Sequence, residues 1–351
     1  MRSFAPNHLD RLLFTAGDVA ALTKLAESRG RQALFVHQVP ESLAALRNVA
    51  IIESSESSNR LEGVIAPRAR IEAVVLRPTA AKDRDEQEIA GYRDALALIH
   101  ESHAAMPLSA NVLLQLHGLL FRYQPRRGGS LKQGDNEIVE YTPDGQRRIR
   151  FQPTAALHTP AALDQLVAGY HDAIRQRGLH PLVAIPLAVL DFLCIHPFDD
   201  GNGRIARLLT LLLLYQHGYE VGRYISLERV IEGSKASYYE TLEHSSQGWH
   251  EGTHDTKPWM QYFWGVLQGA SHEFEERVGA LGEGSGKKTA RIRAAIERRH
   301  GPFSSTDIER ACPGISHQLV RRVLRQLRDQ NQLRVEGKGR GARWHKNDPP
   351  A

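Results

Sequence analysis

The densest group of residues able to do chemistry is Ile195-His-Pro-Phe-Asp-Asp-Gly-Asn-Gly-Arg-Ile-Ala-Arg207. An apolar helix ends at His196, a tight turn supplies Gly201 and Gly203, and a second apolar helix starts at about Arg204. Amide N–H groups in a glycine-rich turn at a helix N-terminus are unsatisfied and sit at the positive end of the helix dipole, so they attract an anion. Arg204 and Arg207 are three apart, on one helical face where both could reach phosphate oxygens. Asp200 offers a hard oxygen suited to Mg²⁺ bridging phosphates, and His196 is placed to take a proton from an incoming hydroxyl. A phosphate cradle, a metal carboxylate and a base together describe phosphoryl or nucleotidyl transfer. Singly these parts are commonplace, since a lone histidine beside an apolar helix is usually structural. The spacing carries the reading.

That spacing has a family counterpart. His196-x-Phe198-x-Asp200-Gly201-Asn202-Gly203-Arg204-x-x-Arg207 resembles the complete active-site motif of the Fic family. The resemblance implies transfer of AMP from ATP to a Ser, Thr or Tyr hydroxyl of a target protein or of the chain itself, with release of pyrophosphate. It implies that His196 is the base and that Asp200 holds Mg²⁺ on the α and β phosphates. Asn202, Arg204 and the amides of the turn through Gly201 and Gly203 would position those phosphates, Arg207 would grip the γ phosphate, and Phe198 would anchor the loop in the core. Ser58-Asn-Arg-Leu-Glu62-Gly63 resembles the family's inhibitory motif, in which Glu62 would hold Arg207 in place of the γ phosphate. Its position before the core matches the class with an N-terminal inhibitory helix, here about residues 54–63.

Around these motifs the sequence predicts a mainly α fold. It comprises a Fic-type helical core with one β-hairpin flap, plus a C-terminal winged helix-turn-helix. Apolar residues recur at helical spacing through residues 1–50, 86–100, 109–121, 159–177, 181–195 and 204–217. Thr159-Pro160 reads as an N-cap followed by an N1 proline, and Gly218 as a helix stop. Residues 137–141 and 147–151 alternate in side-chain type around Pro143-Asp-Gly145, a hairpin signal within the stretch 128–153. The resemblance makes this hairpin the family's flap, whose strand edge, with Arg148, Ile149 and Arg150, would hold the target segment. Tyr238 and Tyr239 resemble the adenine-side pair, or else pack a helix start into the core. His250 and His254 stand four apart near Asp255, but in a polar Gly/Thr-rich loop that argues against a metal.

The expected domains are a helical region over 1–100, a catalytic core over 101–280 containing the motif at 196–207, a Gly-rich hinge over 281–289, and a winged helix over 290–346. The hinge superficially suggests a phosphate-binding loop, but Lys287 is followed by Lys288 rather than Ser or Thr. From Gly286 onward 4 Lys and 12 Arg face 6 acidic residues, a net +10, on a body of net −5. Such a tail suits a polyanion. Arg321, Arg322, Arg325 and Arg328 fall on a third helix, and Lys338, Arg340 and Arg343 on a hairpin turn, so DNA is one expected partner and a protein contact the alternative.

Two cysteines in 351 residues exclude a disulfide framework and a Cys-rich metal site. The first ten residues lack the apolar core of a secretory signal, and the longest apolar stretch is too short to span a bilayer, so a cytoplasmic protein without membrane contact is expected. The resemblance leaves a homodimer open. It also leaves three rival functions: removal of AMP using Glu62, a donor other than ATP, and a DNA-binding regulator with a nucleotide-sensing Fic domain.

Overall fold

The computed structural model describes residues 2–38, 40–76, 81–141, 144–299, 301–312, 315–337 and 342–347. The chain divides into two units, Met1–Glu275 and Glu276–Ala351.

In the first unit, α1 (Pro6–Leu9), α2 (Ala16–Gln38), α3 (Pro40–Leu61), α4 (Arg68–Leu76), α5 (Arg84–Ser102) and α6 (Ala110–Leu120) precede a hairpin of β1 (Ile138–Tyr141) and β2 (Arg147–Phe151). Then follow α7 (Thr159–Arg175), α8 (Pro181–Ile195), α9 (Asn202–Gln216), α10 (Leu227–Gly233), α11 (Lys235–Ser246) and α12 (Lys257–Glu297). Helix starts are set by local chemistry. Asp83 accepts from the Glu86 N–H to cap α5, and Ser109 accepts from the Val112 N–H to cap α6. The expected cap at Thr159 differs: Thr159 is the first residue of α7 and its hydroxyl donates back to Ala155 O.

The core lies on α8 and α9, which pack on each other, with α7 against α8 and α5 against α9. Almost every residue of both central helices is buried. Pro186 sits inside α8 and has no N–H for the Leu182 carbonyl one turn back. The Trp264 indole N–H fills that place at 2.7 Å, and the Trp259 indole donates to Pro186 O at 2.8 Å. Buried Asp191, whose pKa burial pushes up, accepts from the Ser3 amide at 3.2 Å and from the Trp249 indole at 2.6 Å, tying the first residues of the chain to α8. His254 completes this cluster through Ser3 Oγ at 2.9 Å, while His250 bonds Gln152 O at 2.7 Å.

The second unit holds α13 (Ser305–Ala311), α14 (His317–Asp329) and an antiparallel pair, β3 (Leu333–Glu336) and β4 (Arg343–Lys346). Ile292, Phe303, Ile308, Val320, Leu324 and Leu327 form its core. One expectation is corrected here. The Gly-rich stretch 281–289 is not a non-helical hinge but part of α12. Glycine lowers helix stability by only about 1 kcal/mol per residue, and helix already formed on both sides propagates through it. Among the described residues no helix is long and apolar enough to cross a membrane.

Candidate active site

The site begins at the C-terminus of α8. His196 caps that helix in the left-handed region, φ 52°, its amide bonded to Phe192 O at 2.9 Å. This is a costly conformation for a non-glycine residue, and it turns the imidazole out of the helix line. His196 Nδ1 lies 3.2 Å from Leu193 O. With Nδ1–H donating there, Nε2 keeps its lone pair. Burial pushes the His196 pKa down to about 4, so the ring is neutral at pH 7.

The turn then folds back on itself. The Asn202 side chain accepts from the Phe198 N–H at 2.9 Å and donates to Phe198 O at 2.7 Å. Gly201, φ 81°, makes the left-handed step into α9. The amides of Asn202, Gly203 and Arg204 open that helix with no intrahelical acceptor. Asp200 Oδ1 accepts from the Gly201 N–H at 2.6 Å.

Glu62 arrives from the other side. Gly63 is left-handed, φ 83°, and the bonds Gly63 N–H to Arg60 O and Val64 N–H to Asn59 O, each 3.0 Å, close a Schellman turn that ends α3. Glu62 Oε1 therefore accepts from Arg207 Nη2 at 2.7 Å, while Ser58 Oγ accepts from Nε and Ser58 O from Nη2, both at 2.8 Å. Arg207 Nη1 is buried with no hydrogen-bond partner among the described residues. A Cβ on Gly203 would fall 2.2 Å from Glu62 Oε1 and 3.3 Å from that Nη1, so the orphaned nitrogen abuts the glycine turn.

A pocket of about 240 Å³ joins these groups, lined by Glu62, His196, Asp200–Gly203, Arg207, Tyr238 and Tyr239, with Arg150 from β2. The Arg150 guanidinium stacks 5.3 Å from the Tyr239 ring centroid, and Tyr239 donates to Leu61 O at 3.4 Å. Tyr238 is buried behind it, in edge contact with Tyr239 and Trp259. Burial pushes the Tyr239 phenol up to about 12 and raises that of Tyr238 as well. Asp200, 43% exposed on its side chain, is the turn's carboxylate facing this space. Mg²⁺ takes one or two carboxylates and completes its shell with phosphate and water oxygens, a donor set that Asp200 fits.

Not every expected residue faces the pocket. Arg204 is 2% exposed and turned away, paired with buried Glu88 and 3.3 Å from Asn59 Oδ1. It braces the turn from behind because Glu88, buried on α5, requires a counter-charge. The Asn202 amide is occupied with closing the turn. On β2 the strand alternation sends Arg148 and Arg150 toward α11, Arg148 pairing with Glu243, while Ile149 lies on the opposite face, half exposed. Ser58 bonds Arg207 and Gly63 shapes the helix end, neither lining the pocket. In the second unit Arg321, Arg322 and Arg325 are exposed on α14, whereas Lys338 and Arg340 lie outside the described residues.

Sequence reasoning passed over the scaffold of the turn. His117 on α6 stacks on Phe198 at 3.8 Å, accepts from the Gly129 N–H at Nδ1 (2.9 Å) and therefore donates from Nε2 to Asp200 O (3.1 Å). Burial holds its pKa near 4, which fixes that neutral tautomer. Buried Lys132 donates to Ile195 O at 3.2 Å and to Asn136 Oδ1 at 2.8 Å, and Asn136 donates to Phe198 O at 3.1 Å. Burial pushes the Lys132 pKa down to about 8. These side chains are 60 or more residues from the motif, and nothing in their spacing distinguishes them from ordinary core and loop residues.

Residues 107–214 match the Fic/DOC family. Among curated proteins, the chain is 25% identical over 250 residues to the protein adenylyltransferase Fic of Drosophila mojavensis, covering 70% of this chain and 45% of the relative. The Drosophila grimshawi protein of the same name is also 25% identical over 250 residues, covering 70% and 47%. The chain thus spans about half the length of the curated relatives it matches. The crystal structure of a Fic family protein from Desulfovibrio desulfuricans G20 superposes with a TM-score of 0.62 at 21% identity, over 97% of this chain and 98% of that one. The motif turn, the pocket it lines and these likenesses agree, and the chain is a Fic family protein whose Fic domain spans residues 107–214.

Proposed function

We propose that this protein is an adenylyltransferase that moves AMP from ATP to a hydroxyl side chain of a target protein or of itself, restrained by the Glu62–Arg207 ion pair. The observation that carries the reading is the buried, unpartnered Arg207 Nη1 beside the glycine turn, in the same pocket as the neutral imidazole of His196. An unsatisfied buried donor is costly, and a phosphate oxygen is a partner that would satisfy it. In the proposed step the target hydroxyl oxygen attacks the α phosphorus, its proton passes to His196 Nε2, and the bond from the α phosphorus to the α,β-bridging oxygen breaks. Pyrophosphate leaves with that electron pair. The amides of Asn202, Gly203 and Arg204 stabilise charge on the phosphates. Asp200 would hold Mg²⁺, which neutralises the polyphosphate when bound. Tyr239 and Arg150 form the wall on which the base would stack, and β2 places the target hydroxyl.

While Glu62 occupies Arg207, a polyphosphate must compete for that guanidinium. The test is incubation with α-labelled ATP and Mg²⁺. Glu62→Gly should raise self-labelling, and His196→Ala in that background should abolish it. Silence of Glu62→Gly with ATP would overturn the assignment of donor and restraint. A second reading follows from the position of Glu62 in the pocket beside His196, where its carboxylate could activate water to remove AMP. Loss of label from a pre-labelled Glu62→Gly protein on addition of the unsubstituted chain would favour that reaction.

A further inference from the structure

The arginines of the second unit have no part in the pocket. On α14, Val320, Val323, Leu324 and Leu327 are buried against the unit's core. Gln318, Arg321, Arg322 and Arg325 occupy the opposite face at i, i+3, i+4 and i+7, and all four are exposed. Arg321 and Arg325 have no ion-pair partner among the described residues, unlike Arg328, which is taken up by Asp329. A solvated face of this kind is ordinarily interspersed with acids, as in the α3 and α4 pairs Arg60–Glu56 and Arg68–Glu72. Here no acidic residue stands between Glu309 and Asp329.

The backbone presents this face outward. Ser304 caps α13 with a full capping box, Ser316 caps α14, and the two helices pack on each other at a short turn. The β3–β4 pair extends beside them, held by the mutual bonds of Phe303 and Trp344 at 3.0 and 2.8 Å, and carries Arg334 and Arg343 exposed on one face. A helix-turn-helix with a basic hairpin, its second helix exposed along one side, matches the width of the B-form major groove. Arginine bonds guanine edges and glutamine bonds adenine edges, while the hairpin arginines suit flanking phosphates.

We infer that the second unit binds duplex DNA, with the Gln318–Arg325 face of α14 in the major groove and Arg334 and Arg343 on the backbone. This inference is independent of the nucleotidyl-transfer reading, and its failure would leave that reading untouched.

The test uses the full chain and fluorescence anisotropy with a mixed-sequence DNA duplex and the RNA duplex of the same sequence. DNA binding should weaken about tenfold or more between about 50 and 200 mM NaCl as counterions are released. Arg321→Ala with Arg325→Ala should lower affinity about tenfold and flatten the salt slope by about 2, one unit per lost phosphate or base-edge charge. Both side chains are exposed, so the helical circular dichroism and melting temperature should hold. Arg321→Lys with Arg325→Lys, which keeps the charge, should restore most of the affinity. Absence of DNA binding at about 50 mM NaCl would overturn the inference. So would equal affinity for the RNA duplex, whose narrow major groove excludes a helix, or an unaltered salt slope in the alanine variant.

Discussion

Replacing Glu62 by glycine isolates the restraint from the rest of the site. The carboxylate holds Arg207 Nη2 at 2.7 Å, with side-chain exposures of 32% for Glu62 and 3% for Arg207. A charge-assisted bond contributes about 1.5–3 kcal/mol, and the solvent that reaches Glu62 reduces this to about 1–2 kcal/mol. A polyphosphate that must displace Glu62 to reach Arg207 meets that penalty, so its removal should raise the rate of productive turnover about 5–30-fold. The fold should tolerate the change, because Glu62 is the helix-end residue before left-handed Gly63 and Arg207 keeps both Ser58 bonds. The assay is the initial rate of self-labelling from α-labelled ATP with Mg²⁺, alongside melting temperatures. Glu62→Gln, which keeps an acceptor but not its charge, should fall between parent and glycine variant. A Glu62→Gly rate within about twofold of the parent, with melting unchanged, would falsify the competition argument.

Other expectations follow from the same geometry. Arg204→Ala should act through stability, since it leaves Glu88 buried with only exposed Arg84 as counter-charge, and about 3–5 kcal/mol of loss should appear in denaturant unfolding. Arg207→Ala should instead raise the KM for ATP more than it lowers stability. Gly201→Ala forces a side chain into φ 81° and against Leu120 Cδ2 at 2.9 Å, and should cost about 1–3 kcal/mol with loss of labelling. Burial depresses the pKa values of His117 and His196 to about 4 and of His100 and His254 to about 3. Between those values and the ordinary histidine pKa the unfolded chain binds more protons than the native one. The stability these rings confer is therefore complete above about pH 6.5 and declines as pH falls toward 4. Calorimetry from pH 7.5 down to 5 should show the melting temperature falling by on the order of 5 °C, and a pH-independent value would contradict the buried neutral imidazoles.

The sequence alone determined much of this protein's organisation. Apolar periodicity located the two central helices, alternation about Asp144-Gly145 located the hairpin, and the letters between His196 and Arg207 marked the turn. These features were legible because they are local: side-chain period, a left-handed glycine and helix-end chemistry are properties of a few consecutive residues. What tertiary structure decided is which way each side chain faces. Arg204 and Arg207 share a helix face in principle, yet Glu88 from α5 draws one behind the turn and Glu62 from the end of α3 holds the other in the pocket. His117, Lys132 and Asn136 support the turn from distant segments, and spacing cannot register a bond that exists only once those segments meet. Glycines at 282, 284 and 286 suggested a break, but propagation from helix on both sides outweighs their individual preference. Local chemistry names the parts of the site, and the electrostatics of burial, which pairs each charge with a partner distant in sequence, assigns their places.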